Sequence, residues 1–331
     1  MTKPYSKKVI LRLCAAVVIM TAHSEYAHAQ YETPNNYITM PLSYSPATTG
    51  LVDGTIRANA MRDWRWVSVL PEALTNTNVT VDMPLLRNRL TKGNAIGVGV
   101  ILSESNYNYS GWLSSYVNTT KTYGISAAYH KAIDKGKKHH LSLGLQYMSS
   151  SSIVSDKPYT LSRSSDNSTN VGLLYSGIVS QKLFLYGGIS LKQNSISIRS
   201  ANEGMLETSF GGNLEISKRV GLLANFTQVY IAGFYRTQGI VYTRITLTSN
   251  ALKANNRWAV YAGMGYSVDD AILPYLALEY GGIRVGVTTD NMLWQYTNGV
   301  LGTVLTAQYV GHLPKRKKTT ANNNWNVGEM F

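Results

Sequence analysis

From residue 95 onward, apolar positions alternate with small or polar ones at a period of two. In Ile96-Gly97-Val98-Gly99-Val100-Ile101-Leu102 the even positions are aliphatic, and in Leu141 to Tyr147 the odd ones are. The pattern recurs at Leu183 to Lys192, Val241 to Leu247, Trp258 to Tyr266, Tyr275 to Tyr280 and Ile283 to Thr288. Successive side chains leave a strand on opposite faces, so this alternation predicts strands with one apolar face. About fourteen are predicted, at residues 55–66, 75–84, 95–104, 120–131, 139–149, 170–180, 182–193, 204–217, 219–230, 236–249, 256–268, 271–280, 283–289 and 301–311. The second face is small or polar throughout and would make a poor tight core.

Two architectures present one apolar and one polar face: a half-buried sandwich sheet, and an outer-membrane barrel with its apolar face toward lipid. The strand count and lengths favour the barrel, since a tilted strand needs roughly 9 to 11 residues to cross a bilayer and only the thirteenth segment is shorter. The expected fold class is therefore all-β, a transmembrane antiparallel β-barrel of the outer-membrane type. The connections agree. Inner turns are short, at 85–94, 132–138, Ser180-Gln181, Ser217 to Arg219, 250–255 and Gly281-Gly282. The expected outer loops at 105–119, 150–169 and 290–300 are long and rich in Ser, Asn and Tyr, with a tight Asp269-Asp270 connection as the exception. Gly281-Gly282 suits a two-residue primed hairpin turn, which sets Glu279 opposite Arg284 on the face turned from lipid. That lumenal pair is either a solvated wall contact or part of a gate.

The start of the chain changes the charge and cysteine arithmetic. Lys3, Lys7, Lys8 and Arg12 precede a short apolar core, and Ala27-His28-Ala29 fits a signal-peptidase site, so residues 1–29 read as a cleaved signal peptide. Cys14, the one cysteine, goes with it, which excludes disulfides and thiolate chemistry from the mature chain. What remains carries 27 cations against 17 carboxylates, a net +10. Four of those cations, Lys315, Arg316, Lys317 and Lys318, stand together in the last twenty residues near Trp325 and Phe331. Residues 30–54 are expected to be a periplasmic N-terminal segment or a plug, 55–311 the barrel, and 312–331 a basic periplasmic tail. That tail either docks on a partner or stays a solvated extension.

No catalytic constellation emerges. Beyond the signal only His130, His139, His140 and His312 remain, and the adjacent His139 and His140 leave their strand on opposite faces and cannot chelate jointly. Glu207 and Glu215 share the expected lumenal face with no partner acid at hydrolase spacing. Gly97-Val98-Gly99 and Gly263-Met264-Gly265 lie inside strands, where no phosphate cradle forms. Tyr107 to Trp112 reads either as membrane-interface girdle or as a glycan platform. There is no metal, cofactor or nucleic-acid motif.

Tyr44-Ser45-Pro46-Ala47-Thr48-Thr49-Gly50 resembles the N-P-A-x-x-G motif that opens members of the PorP/SprF family, membrane proteins of the type IX secretion system in the Bacteroidota. The segment Thr55 to Val67, with Arg62, Trp64 and Trp66, is similar to that family's Y-R-N-Q-W strand. Val81 to Leu85 followed by Gly97-Val98-Gly99-Val100 resembles its next hairpin. Ser45 stands where the family usually has Asn, and the chain runs about twenty residues past the final strand. The resemblance implies a non-enzymatic component of the outer membrane of a Gram-negative bacterium, with no cofactor. Implied partners are outer-membrane lipid, the periplasmic PorK/PorN ring, a peptidoglycan-binding lipoprotein and secreted cargo with a C-terminal sorting domain, gliding adhesins included. The alternative from the residues alone is an outer-membrane diffusion channel or small-solute transporter, with a surface hydrolase ranked last.

Overall fold

The computed structural model describes residues 39–65, 72–87, 93–110, 115–157, 160–195, 204–231, 234–247, 258–267, 271–292 and 300–311. Its strands are β1 (Ile56–Arg65), β2 (Glu72–Pro84), β3 (Ala95–Ser110), β4 (Ser115–Ala132), β5 (His139–Lys157), β6 (Thr160–Ser180) and β7 (Leu183–Ser195). They continue with β8 (Met205–Glu215), β9 (Val220–Ile231), β10 (Phe234–Thr246), β11 (Trp258–Ser267), β12 (Ala271–Tyr280), β13 (Ile283–Met292) and β14 (Val300–Gly311). Each strand pairs antiparallel with its sequence neighbours, and β14 closes on β1, giving a closed barrel of fourteen strands. All fourteen segments predicted from the alternation correspond to strands.

Closure explains why the alternation is so legible. A closed barrel leaves no unpaired edge in the membrane, so only the outward face meets lipid. On β5 that face is Leu141, Leu143, Leu145 and Tyr147, all largely exposed, while Ser142, Gln146 and Met148 between them are buried in the lumen. Aromatic side chains ring both ends of the apolar wall. The rings of Trp258 and Tyr280 meet at a tilt, 4.5 Å apart, at the inner end, and those of Tyr230 and Tyr235 at 4.7 Å at the outer end. From Trp258 to Tyr266 on the outward face of β11, eight residues at the usual rise and barrel tilt span about 20 Å, close to the height of an outer-membrane apolar band.

Two expectations are corrected. Residues 105–119 and 150–169, read as long outer loops, are mostly strand: β3 and β4 run to Ser110 and from Ser115, and β5 and β6 run to Lys157 and from Thr160. Above the membrane both faces of these hairpins meet water, so the hydrophobic period disappears while the ladder continues. Cross-strand hydroxyl pairs line it, Thr120 with Ser152 and Thr122 with Ser150, each at 2.8 Å. β13 is likewise longer than expected and ends at Met292.

The second correction concerns the lumen. Its face, read as too small and polar to pack tightly, carries a continuous buried cluster that includes Tyr44, Ala47, Leu51, Leu174, Tyr186, Leu223, Tyr242, Tyr261 and Tyr275. Tyrosine counted as polar in the alternation, yet its ring packs as a large apolar body. Glycines opposite the rings make the room.

Residues 1–29, the basic tail with Lys315 to Lys318, Trp325 and Phe331, and the positions Trp66, Trp112, Asp269, Asp270 and His312 lie outside the described residues.

Candidate functional site: a filled lumen

Two structures fill the barrel's interior, and each follows from local sequence. The first is residues 39–54. Pro41 opens the short helix α1 (Pro41–Tyr44) and Pro46 opens a single 3-10 turn (Pro46–Thr48), where a missing N–H costs nothing because the first turn has no partner for it. Gly50, at φ 71°, turns the chain where a side chain would be strained. The result is a compact knot whose Met40, Leu42, Ala47, Leu51 and Val52 are fully buried.

The wall is shaped to receive it. A Cβ placed on Gly97 would fall on the Thr49 carbonyl, and one on Gly144 would fall on the backbone of Pro46 and Ala47. These lumenal glycines are therefore backbone-to-backbone contacts between strand and knot. Around them polar side chains reach inward. Gln146 Nε2 donates to Leu42 O at 3.2 Å, Ser190 Oγ to Tyr44 O at 2.9 Å, and Asn78 Nδ2 to Ser43 Oγ at 3.0 Å. His130 Nε2 donates to Thr49 O at 2.7 Å, while its Nδ1 meets Ser142 Oγ at 2.7 Å. Thr49 and Ser126 share a hydroxyl hydrogen bond of 2.6 Å.

The fastening is an ion pair. Asp82 on β2 accepts two hydrogen bonds from Arg57 on β1, Nε to Oδ1 at 2.9 Å and Nη2 to Oδ2 at 2.8 Å, and both side chains are fully buried. The same carboxylate accepts the Gly50 N–H at 2.6 Å, and Arg57 Nη2 also donates to Thr48 O at 3.1 Å. One buried pair thus holds the knot at both its carbonyl and its amide. The motif residues Tyr44, Pro46, Ala47 and Gly50 all belong to this knot. Arg62 and Trp64 do not: they lie on the outward face of β1, with Arg62 donating to Thr77 at 2.7 Å and its guanidinium 5.6 Å from the Trp64 ring.

The second structure fills the opposite side, along β7 to β13. Gly281 and Gly282 both have positive φ, 59° and 85°, as a primed hairpin turn requires, and Glu279 stands across from Arg284. Arg284 donates to Glu279 Oε2 from Nε at 3.0 Å and from Nη2 at 2.8 Å. Sequence reasoning missed the third member. Tyr261 donates to the same oxygen at 2.7 Å, accepts from Arg284 Nη2 at 2.8 Å, and lies with its ring 4.2 Å below the guanidinium. Tyr242 packs against Tyr261 and Tyr275, and Asn225 donates to Tyr186. The available signal was one tyrosine on the lumenal face of each of β10, β11 and β12, in step with the lipid-facing residues.

Among the described residues no group of His, Asp or Glu is arranged to hold a metal. His140 is buried in the lumen, whereas His139 faces outward and meets Tyr175 Oη at 2.7 Å. Glu207 is buried in the lumen and Glu215 sits at its rim, 3.8 Å from Arg244.

Comparison with known proteins bears on this arrangement. The family described as type IX secretion system membrane protein PorP/SprF matches residues 27–303. Among solved structures, a FadL homologue from Pseudomonas aeruginosa superposes with a TM-score of 0.51 at 11% identity, covering 85% of this chain and 95% of that one. The Pseudomonas putida toluene transporter TodX gives 0.50 at 9%, covering 86% and 96%. CdiB from Escherichia coli gives 0.50 at 9%, and covers 78% of this chain but 63% of its own, so the chain spans less than two thirds of that protein. At these identities the likeness is one of fold, an outer-membrane β-barrel. No protein in the curated set matches.

Proposed function

The chain belongs to the PorP/SprF family of type IX secretion system membrane proteins, and from that premise we propose that it is a closed, non-enzymatic outer-membrane barrel. In this role it anchors the periplasmic PorK/PorN ring and a peptidoglycan-binding lipoprotein, or supports export and surface retention of cargo with a C-terminal sorting domain. Residues 39–54 act as a plug. The observation that carries the reading is the occupied lumen: the knot tied to Arg57 and Asp82 on one side and the Tyr261, Glu279 and Arg284 cluster on the other. A wall of this kind offers surface to partners rather than a path to solutes. Lys315, Arg316, Lys317, Lys318, Trp325 and Phe331 are the proposed contact with an acidic periplasmic partner.

The test is deletion of the gene in its host, with the surface-exposed and released proteins compared with the parent strain. Loss of one cargo protein supports a cargo-specific role, loss of many supports a core role, and an unchanged export profile refutes both. A chain ending at Gly311 should then lose periplasmic partners in a pull-down while still folding. The diffusion-channel alternative predicts steady conductance in a planar bilayer, and the plugged barrel predicts none.

A further inference from the structure

From β4 to β9 the inner rim is rich in cations. Lys131 ends the outward face of β4, two residues beyond Tyr129, and the turn into β5 adds Lys135, Lys137 and Lys138. The turn between β6 and β7 adds Lys182, and the turn between β8 and β9 adds Lys218 and Arg219. Against these seven cations stand Asp134, engaged by the His139 N–H at 2.8 Å, and Glu215, near Arg244. Among the described residues none of the seven takes part in an ion pair. Across the barrel, the Gly281-Gly282 turn carries no charge at all. The described outer hairpins show no such bias: they mix Lys121 and Arg163 with Glu104 and Asp166.

We propose that this crescent, running from β4 to β9, is a binding surface for the phosphate headgroups of anionic phospholipid in the periplasmic leaflet. Depth is the first reason for lipid rather than protein. Lys131 is only two residues past the aromatic girdle, about 5 Å along a tilted strand, and lysine stems lie along apolar wall while the ammonium reaches the headgroup layer. The second reason is what stands between the cations. Ile133 and Ile216 are 54% and 55% exposed, so two of the three cationic turns also offer an apolar side chain to the acyl boundary. A basic surface with apolar tips, set at the edge of a lipid-facing wall, matches a negatively charged membrane surface.

The experiment reconstitutes the full chain in vesicles of phosphatidylethanolamine and phosphatidylglycerol, extracts it mildly, and measures the retained lipid by mass spectrometry. Phosphatidylglycerol should be enriched several-fold over its share of the vesicle, and high salt should reduce the enrichment. The variant Lys135→Glu/Lys138→Glu/Lys182→Glu/Lys218→Glu should lose it. An outer-surface variant, Lys121→Glu/Arg163→Glu, should keep it. Heat-modifiable migration on a gel checks that each variant is folded. Retained lipid that mirrors the vesicle overturns the proposal, as does enrichment that survives the four-fold charge reversal. Retained lipid without preference, together with capture of a purified acidic protein that the four-fold variant loses, would reassign the crescent to a protein partner.

Discussion

Replacing Asp82 by alanine removes the centre of the plug's fastening. Arg57 would then remain fully buried with its charge unmatched, and the Gly50 N–H would lose its acceptor. Taking one partner from a buried pair costs about 3–5 kcal/mol, mostly as the penalty of the orphaned charge. Much of that penalty is relieved if residues 39–54 leave the lumen and water reaches Arg57. The equilibrium between plugged and unplugged barrel should therefore shift by roughly two to three and a half orders of magnitude. Five further hydrogen bonds from Asn78, Ser126, His130, Gln146 and Ser190 still hold the segment, each worth about 1 kcal/mol net, so intermittent opening is expected rather than a permanent pore. Single-molecule bilayer recordings should show brief current steps in Asp82→Ala and silence in the parent, and chymotrypsin should gain access to Tyr44. The double substitution Arg57→Met/Asp82→Leu removes both charges and should recover most of the closed state. If Asp82→Ala is as silent and as protease-resistant as the parent, the ion pair is not what holds the plug.

Other outcomes follow from the same contacts. Gly144→Val puts a side chain where Pro46 and Ala47 pass, and should expel the plug or block folding, whereas Gly187→Val, whose Cβ has ordinary contact at 3.7 Å with Phe210, should leave the gel shift and conductance unchanged. Glu279→Ala leaves Arg284 without its carboxylate. It should lower stability by about 1–3 kcal/mol, discounted because Glu279 is partly solvated, and Glu279→Leu/Arg284→Leu should recover part of the loss in a thermal gel-shift series. Joining β5 to β6 by a short turn in place of residues 152–165 leaves the lipid-facing Leu141 to Tyr147 stretch untouched, so the shortened barrel should insert and keep its heat-modifiable migration.

What the sequence made legible divides along the membrane. Within the apolar band lipid touches one face only, so the alternation in Leu141 to Tyr147 or Leu276 to Tyr280 is an unambiguous strand signal, and the Gly281-Gly282 turn fixes its register to the residue. Above the band the signal vanishes. Ser149 to Ser155 has water on both sides, and a ladder of serine and threonine hydroxyls cannot be told from a loop by hydrophobicity. Inside the lumen the difficulty is different. Gly97, Gly144 and Tyr261 look like polar wall facing water, because the packing partner of each is remote in sequence: Thr49 for Gly97, Pro46 for Gly144, Arg284 for Tyr261. Asp82 reads as an ordinary strand carboxylate until Arg57 and Gly50 are seen to converge on it.

That convergence also bears on the choice between anchor and channel. Tyr44 and Ala47 of the knot belong to the same buried cluster as Tyr186, Tyr242 and Tyr261 of the far wall, so the two fillings are joined by continuous packing. A hydrated pore would need the polar wall residues to face one another through water. Here Asn78, His130, Gln146 and Ser190 on β2, β4, β5 and β7 spend hydrogen bonds on the knot, and Tyr261, Glu279 and Arg284 on β11 to β13 spend theirs on each other. Opening a path would mean leaving several of these groups unpaired at once, at about 1–3 kcal/mol for each one not rehydrated. A solute bound on the way through would have to supply that energy, whereas a partner bound to the rim or the outer hairpins would not. If the barrel is plugged as proposed, its working surfaces are its two ends, where the basic inner rim and the extended β3 to β6 hairpins lie.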